Sequence, residues 1–169
     1  MSVEEGQVVL RRPVLADGLL VWELVRLSGT LDLNSCYLYL LLCDQFADTC
    51  VIAQQGDQIQ GFVTAYIRPD KSDTLFVWQV GVLPSARGKG LAKAMLRHLW
   101  GRDVCRSLKW LEATVSPSNQ PSRNLFAAMA SELGTEINEH TYIGIVHFPI
   151  NGSHEPEPLL RLGPFQAIH

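Results

Sequence analysis

The stretch QVGVLPSARGKGLAKAML, Gln79–Leu96, joins an apolar, strand-like run to a helix-like run through a loop that is half glycine and base. A strand that ends in a glycine-rich loop and leads directly into a helix aims several unpaired backbone N–H groups, and the positive end of a helix dipole, at one place. Such a place binds phosphate. Gly88 and Gly90 remove side chains that would block a close approach, and Arg87 and Lys89 add charge-assisted contacts. The plainer alternative is a helix start carrying two solvated bases. A P-loop would need glycine where Leu83 stands and Ser or Thr where Gly90 stands. The dinucleotide fingerprint would need Gly or Ala where Lys93 stands, so it fails as well.

Outward from this stretch, the remaining pattern is mixed α/β. QVVLRRP reads as a short strand, and Leu19 to Leu27 have helical spacing that Gly29 ends. Asp32, Asn34 and Ser35 are good caps for an apolar helix running to about Phe46. TCVIAQQGDQIQGFVTAYIRP reads as a hairpin turning at Gly56-Asp57 and closed by Pro69. TLFVWQVGVLP is the nearly unbroken apolar run of a central strand covered on both faces. A helix from Gly90 to about Trp100, a strand KWLEATV, a helix from about Asn119 to Glu132, and strands near Glu136–His140 and Tyr142–Ile150 complete the order. Residues 1–150 are expected to form one domain, with 151–169 a tail that closes over the pocket or packs on a partner chain.

Composition narrows the function classes. The 169 residues carry a net charge of -3, with 18% charged and 47% hydrophobic residues, which describes a compact folder and argues against a nucleic-acid partner. The longest apolar block, YLYLLLC at 37–43, is too short to span a bilayer, and MSVEEGQVVLRRP lacks the pattern of a signal peptide. A soluble, cytoplasmic protein without a membrane partner is expected. The four cysteines form no Cys-x-x-Cys pair and the five histidines show no ligand spacing, so no metal is expected.

The loop resembles the acyl-CoA signature of the GNAT superfamily of N-acetyltransferases: Arg or Gln, two residues, Gly, one residue, then Gly or Ala, met by Arg87, Gly90 and Ala92. The element order agrees over nearly the whole chain. The resemblance implies a GNAT fold, a mixed central sheet splayed at the acetyl-CoA site with helices on both faces. It also implies that acetyl-CoA is the cosubstrate. Its pyrophosphate would meet the amides of Arg87, Gly88, Lys89, Gly90, Leu91 and Ala92, and its pantetheine arm the strand Val80, Gly81, Val82. SPSNQPSRNLF resembles the segment lining the other side of CoA, which implies Asn119, Ser122, Leu125 and Phe126 there, although helix capping explains Asn119 and Ser122 equally. Many superfamily members place a tyrosine acid at the last position, where Phe126 has no proton to give.

LDLNSCYLYLLLCDQFADTC, TLFVWQV and SPSNQPS resemble, more narrowly, a branch of the superfamily that acetylates the N4 amine of L-2,4-diaminobutyrate in the synthesis of the compatible solute ectoine. A homodimer is implied with it. A small diamino acid needs an anion for an ammonium and donors for its carboxylate. Asp32, Asn34, Ser35 and Tyr37 supply such groups, with capping the competing explanation for the first three. Trp78 is either an apolar wall or a core residue, and His154 and Glu155 are further polar contacts. Asp32 and Tyr37 are the candidates for catalytic roles, Asp32 as the anchor of one ammonium and Tyr37, or alternatively Tyr142, as a proton donor to a thiolate that can also leave unaided. Glu112 is a further candidate carboxylate.

Overall fold

The computed structural model describes residues 6–166, which divide into two compact units. The first comprises 6–66 and 78–105, and the second 67–77 and 106–166.

In the first unit, strand β1 (Val9–Arg11) leads to helices α1 (Asp17–Ser28) and α2 (Cys36–Gln45). Gly29 ends α1 at φ 68°, a left-handed C-cap that a side chain disfavours. Ser35 starts α2, its hydroxyl accepting the Leu38 N–H at 3.3 Å. Strands β2 (Val51–Gln55) and β3 (Gln58–Ile67) form the expected hairpin, with Gly56 at φ 58° in its two-residue turn. β1 pairs antiparallel with β2, and the last part of β4 (Thr74–Val82) neighbours β3. Helix α3 (Leu91–Trp100) follows β4 directly.

Neighbouring β3 residues face opposite sides and show how the helices are distributed. Phe62 is buried in a cluster with Val21, Leu24 and Val25 of α1 and Tyr39, Leu42 and Cys43 of α2. A Cβ on Gly61 would instead meet Met95 of α3. The helix pair therefore covers one face of this unit and α3 the other. Cys43, Cys50 and Cys105 are buried and free, and burial pushes their thiols up, to about 12 for Cys43 and about 11 for the other two.

In the second unit the strand order is β4, β5 (Trp110–Thr114), β7 (Glu157–Leu162), β6 (Ile137–Ile143), with β5 parallel to β4 and the other pairs antiparallel. Helix α4 (Gln120–Glu132) packs against β6. The final strand departs from the sequence expectation. Residues 144–150 are apolar but contain Gly144 and Pro149, and Val146 and Ile150 lie 85% and 101% exposed. The strand that enters the sheet is β7, within the supposed tail, because Leu159, Leu160 and Leu162 are the residues buried there. Pro158 is tolerated near its start, where only its carbonyl is needed, accepting the Val115 N–H at 3.2 Å.

An ion pair between a buried carboxylate and a partly exposed guanidinium ties the start of the first unit together. Arg11 grips Asp17 with two bonds of 2.7 and 2.9 Å, and the Val14 N–H adds a third at 2.7 Å. Burial works to raise the Asp17 carboxyl, but these bonds and the Arg11 charge outweigh it, and its pKa falls below the ordinary value. The stability so gained is present above the unfolded-state pKa of about 3.9 and is lost as pH falls through the lower folded value. Asp17→Ala is expected to cost about 3 kcal/mol at neutral pH. Chemical denaturation of both proteins at pH 7 and pH 3 checks this, the gap narrowing at the acid end.

Candidate active site

Strand β4 changes character at its middle. Thr74 to Val77 are all buried and form the parallel ladder with Trp110 to Ala113 of β5. From Trp78 the burial alternates: Trp78, Val80 and Val82 are half-buried, while Gln79 and Gly81 are buried. The unbroken apolar run therefore holds a strand covered on both faces only as far as Val77, and one with an accessible face beyond it.

At the end of β4, residues 84–86 make one short turn, and Gly88 and Gly90 follow at φ 77° and 74°. Both glycines are required by these left-handed backbone angles, and a Cβ on either would meet nothing within 4 Å, so the loop lies open above them. Gly90 is the N-cap of α3, and no side chain caps the first turn. Amides left without a side-chain acceptor at a helix N-terminus, beside open glycines, suit a phosphate group. The Arg87 guanidinium donates to the Val82 carbonyl at 3.3 Å and the Ser28 carbonyl at 3.5 Å, bracing the loop against α1. Lys89 is exposed on the loop, and Leu91 and Ala92 are half-buried in the first turn of α3.

The acceptor-side residues lie on the connection between α1 and α2. Asp32 is exposed, and Tyr37 is 68% exposed on the first turn of α2. Ser35 is engaged as the α2 cap. Asn34 shapes the connection, its amide donating to the Asp32 carbonyl at 3.3 Å while its own carbonyl accepts the Trp22 indole N–H at 3.1 Å. Trp78 packs at the edge of the core, its ring 6.0 Å from that of Tyr39. Both roles foreseen for it are compatible with half-burial.

Two residues here escaped the sequence reading. The Tyr39 hydroxyl donates to Gln79 Oε1 at 2.9 Å, and Gln79 Nε2 donates to the Asp32 carbonyl at 3.0 Å. Tyr39 looked like one more member of an apolar helix face, and nothing along the chain pairs it with a residue forty positions away. A polar side chain interrupting a run as apolar as TLFVWQV was the available signal for Gln79.

In the second unit, Asn119 is the N-cap of α4 and its carbonyl oxygen accepts the Ser122 N–H at 3.2 Å, so capping accounts for this pair. Phe126 is buried with Met129 and Ala130 on the inward face of α4, and Leu125 is half-buried. Glu155 accepts a short hydrogen bond from the Ser118 hydroxyl, and the His154 ring stacks on Phe148 with centroids 3.8 Å apart. Glu112 is corrected to a structural role. It is fully buried, 2.8 Å from Arg68 and 3.1 Å from Arg161, which itself lies 3.6 Å over the Trp110 ring. A carboxylate enclosed by two guanidinium groups cannot serve a substrate as base.

A mixed sheet with an open strand face, leading into an uncapped, glycine-opened helix start, is the architecture of an acyl-CoA-dependent acetyltransferase. The chain belongs to the GNAT acetyltransferase family, whose model matches residues 20–130. The L-2,4-diaminobutyric acid acetyltransferase of Marinococcus halophilus is 49% identical over 158 residues, 94% of this chain and 91% of that one. That of Bordetella parapertussis is 47% identical over 157 residues, 92% of this chain and 84% of that one. Among solved structures, the diaminobutyrate acetyltransferase EctA from Paenibacillus lautus, in complex with its substrate L-2,4-diaminobutyric acid and coenzyme A, is 47% identical. It superimposes with a TM-score of 0.92 over 97% of this chain and 99% of that one. Within the GNAT family, the chain falls among the diaminobutyrate acetyltransferases.

A side chain at Gly90 would meet open space but a disfavoured backbone, costing about 1–2 kcal/mol. Gly90→Ala is therefore expected to reshape the loop and weaken CoA binding about tenfold, measured by calorimetric titration, one decade being about 1.4 kcal/mol.

Proposed function

We propose that this chain transfers the acetyl group of acetyl-CoA to the N4 amine of L-2,4-diaminobutyrate, releasing N4-acetyl-L-2,4-diaminobutyrate and CoA, and that it serves ectoine synthesis in the cytoplasm. The full-length likeness to an enzyme solved with that diamino acid and CoA carries the reading. The open loop at Gly88 and Gly90 is its local support.

Acetyl-CoA supplies an activated thioester. The chain's own tasks are to hold it, to orient the acceptor and to dispose of protons. Arg87, Gly88, Lys89, Gly90, Leu91 and Ala92 are assigned to the phosphates, and the Val80, Gly81 and Val82 backbone to the pantetheine arm. Asn119, Ser122 and Phe126 are assigned to the cofactor's other side. Phe126 would contribute from a buried position, by supporting α4 rather than by proton transfer. Asp32, Asn34, Ser35, Tyr37, Trp78, His154 and Glu155 are assigned to the acceptor.

An alkyl amine has a pKa of about 10.4, so roughly one molecule in a thousand is neutral near pH 7. Removal of a proton to a carboxylate or through ordered water is required before the amine can act as a nucleophile. Asp32 is assigned the ammonium that is not acetylated, which selects the reacting nitrogen. Tyr37 is the assigned donor to the departing thiolate, and its exposure gives it ready exchange with water. A thiol of reference pKa about 8.5 also leaves without strong assistance.

Thiol release from acetyl-CoA with a panel of amines, and mass-spectrometric localisation of the acetyl group, test the reaction. Turnover with diaminobutyrate and acetylation at N4 are expected, with Asp32→Ala lowering kcat/KM by about a hundredfold and yielding some N2 product, the loss expected when a charged hydrogen bond is removed. Turnover only with another small amine or a protein N-terminus, or CoA binding without turnover, would reject the assignment.

A homodimer is part of the proposal. β6 is exposed along almost its whole length, and Tyr142, Ile145, Val146 and Ile150 continue it as an exposed apolar run. An open strand edge with such a run is suited to a second copy of the chain. Light scattering is expected to give twice the monomer mass, and Val146→Asp with Ile150→Asp to give the monomer.

A further inference from the structure

The connection between α1 and α2, residues 29–35, is held by side chains from distant parts of the chain. The Asp32 carbonyl accepts from Gln79 Nε2 at 3.0 Å, and the Asn34 carbonyl accepts from the Trp22 indole at 3.1 Å. Between these two points, Leu31 packs over Gly81, where a Cβ would come within 3.1 Å of the Leu31 methyl and would also strike the Phe62 ring. The connection is thus seated on the same stretch of β4 whose other face is open. Gln79 and Gly81 are its buried residues, and Trp78, Val80 and Val82 its half-buried ones.

Gln79 is chemically suited to this task in a way few residues are. It is 8% exposed, so both ends of its amide must find partners. Its oxygen accepts the hydroxyl of Tyr39, a residue with no exposed surface, and its nitrogen donates to the Asp32 carbonyl. An amide offers an acceptor and a donor at once; the Asp32 carbonyl can only accept, so it fixes the nitrogen on its side, and the Tyr39 hydroxyl then donates to the oxygen and holds the amide in place. The backbone oxygen of Gln79 is also engaged, by the Thr64 hydroxyl at 3.4 Å.

We propose that Gln79, anchored by Tyr39, is the positioning residue that sets the Asp32 segment relative to β4, and so fixes which amine of the acceptor reaches the thioester. This rests on the assignment of Asp32 to the acceptor. Gln79 itself touches neither substrate. It acts by fixing a main-chain carbonyl, and through it the direction in which the Asp32 side chain leaves the backbone.

Gln79→Glu, Tyr39→Phe and Asp32→Ala are compared with the wild type. Gln79→Glu keeps the shape but turns an oxygen toward the Asp32 carbonyl, and Tyr39→Phe removes the donor that anchors the buried amide oxygen. Both are expected to raise the KM for diaminobutyrate about tenfold, the loss of one good hydrogen bond, while the KM for acetyl-CoA stays within about twofold. N2-acetylated product should appear with both. The Gln79→Glu defect should shrink between about pH 8 and pH 6, because a buried carboxyl has a raised pKa and in its protonated form donates as the amide does.

Unchanged diaminobutyrate KM and pure N4 product in folded Gln79→Glu would overturn the proposal, as would equal rises in both KM values. Should Gln79→Glu fail to fold, Tyr39→Phe decides by the same two readings. Effects in the Gln79 and Tyr39 variants with Asp32→Ala silent would remove Asp32 as the acceptor contact and overturn the proposal with it. The opposite pattern would keep Asp32 and reject the positioning role.

Discussion

A helix cannot satisfy its own first amides, and those of α3 have no side-chain cap and lie beside two open glycines. That constraint organises the first unit. Gly88 and Gly90 take up left-handed angles so that the chain can turn sharply from β4 into α3 with no side chain above the turn. Arg87, the one long side chain of the loop with carbonyl partners in β4 and α1, braces it from the side. The result is a rigid rim around an opening, a geometry suited to a polyanionic group whose charge meets dipoles already aligned.

Polar groups around the acceptor segment follow a different logic. Ser35, Asn34, Gln79, Tyr39 and Trp22 satisfy one another and the backbone, so that the turn between α1 and α2 has a definite shape before any ligand arrives. Preorganisation of this kind lowers the ordering cost of binding a small, flexible diamino acid. Ser35 is engaged at the start of α2, and Asp32 lies exposed three residues before it.

The second unit shows how chemically suggestive residues can be wholly architectural. Glu112 and Arg161 stand opposite each other in the β5–β7 ladder, and Arg68, itself doubly bonded to Asp70, completes the group. Burying this carboxylate is tolerable only because two guanidinium groups surround it. Glu155, by contrast, is exposed and held by Ser118, which leaves a carboxylate on the surface in a fixed orientation. Burial and partners separate the two glutamates, and neither can be read from the residue type.

Local chemistry was enough to determine much of this protein. The order of strands and helices as far as α4, the Gly56-Asp57 hairpin, the Gly29 helix stop and the glycine-opened start of α3 are all set within a few residues, so periodicity, caps and glycine placement reveal them. Membership of an acetyltransferase family was legible for the same reason, because Arg87, Gly90 and Ala92 lie in one short loop. Tertiary structure alone decided which apolar segment became the last strand, since Ile145 and Leu159 differ in burial rather than in hydrophobicity. It alone enclosed Glu112, and it alone joined Tyr39, Gln79 and Asp32. Hydrogen bonds between residues forty or more positions apart depend on how strands and helices stack, and that stacking leaves no local trace along the chain.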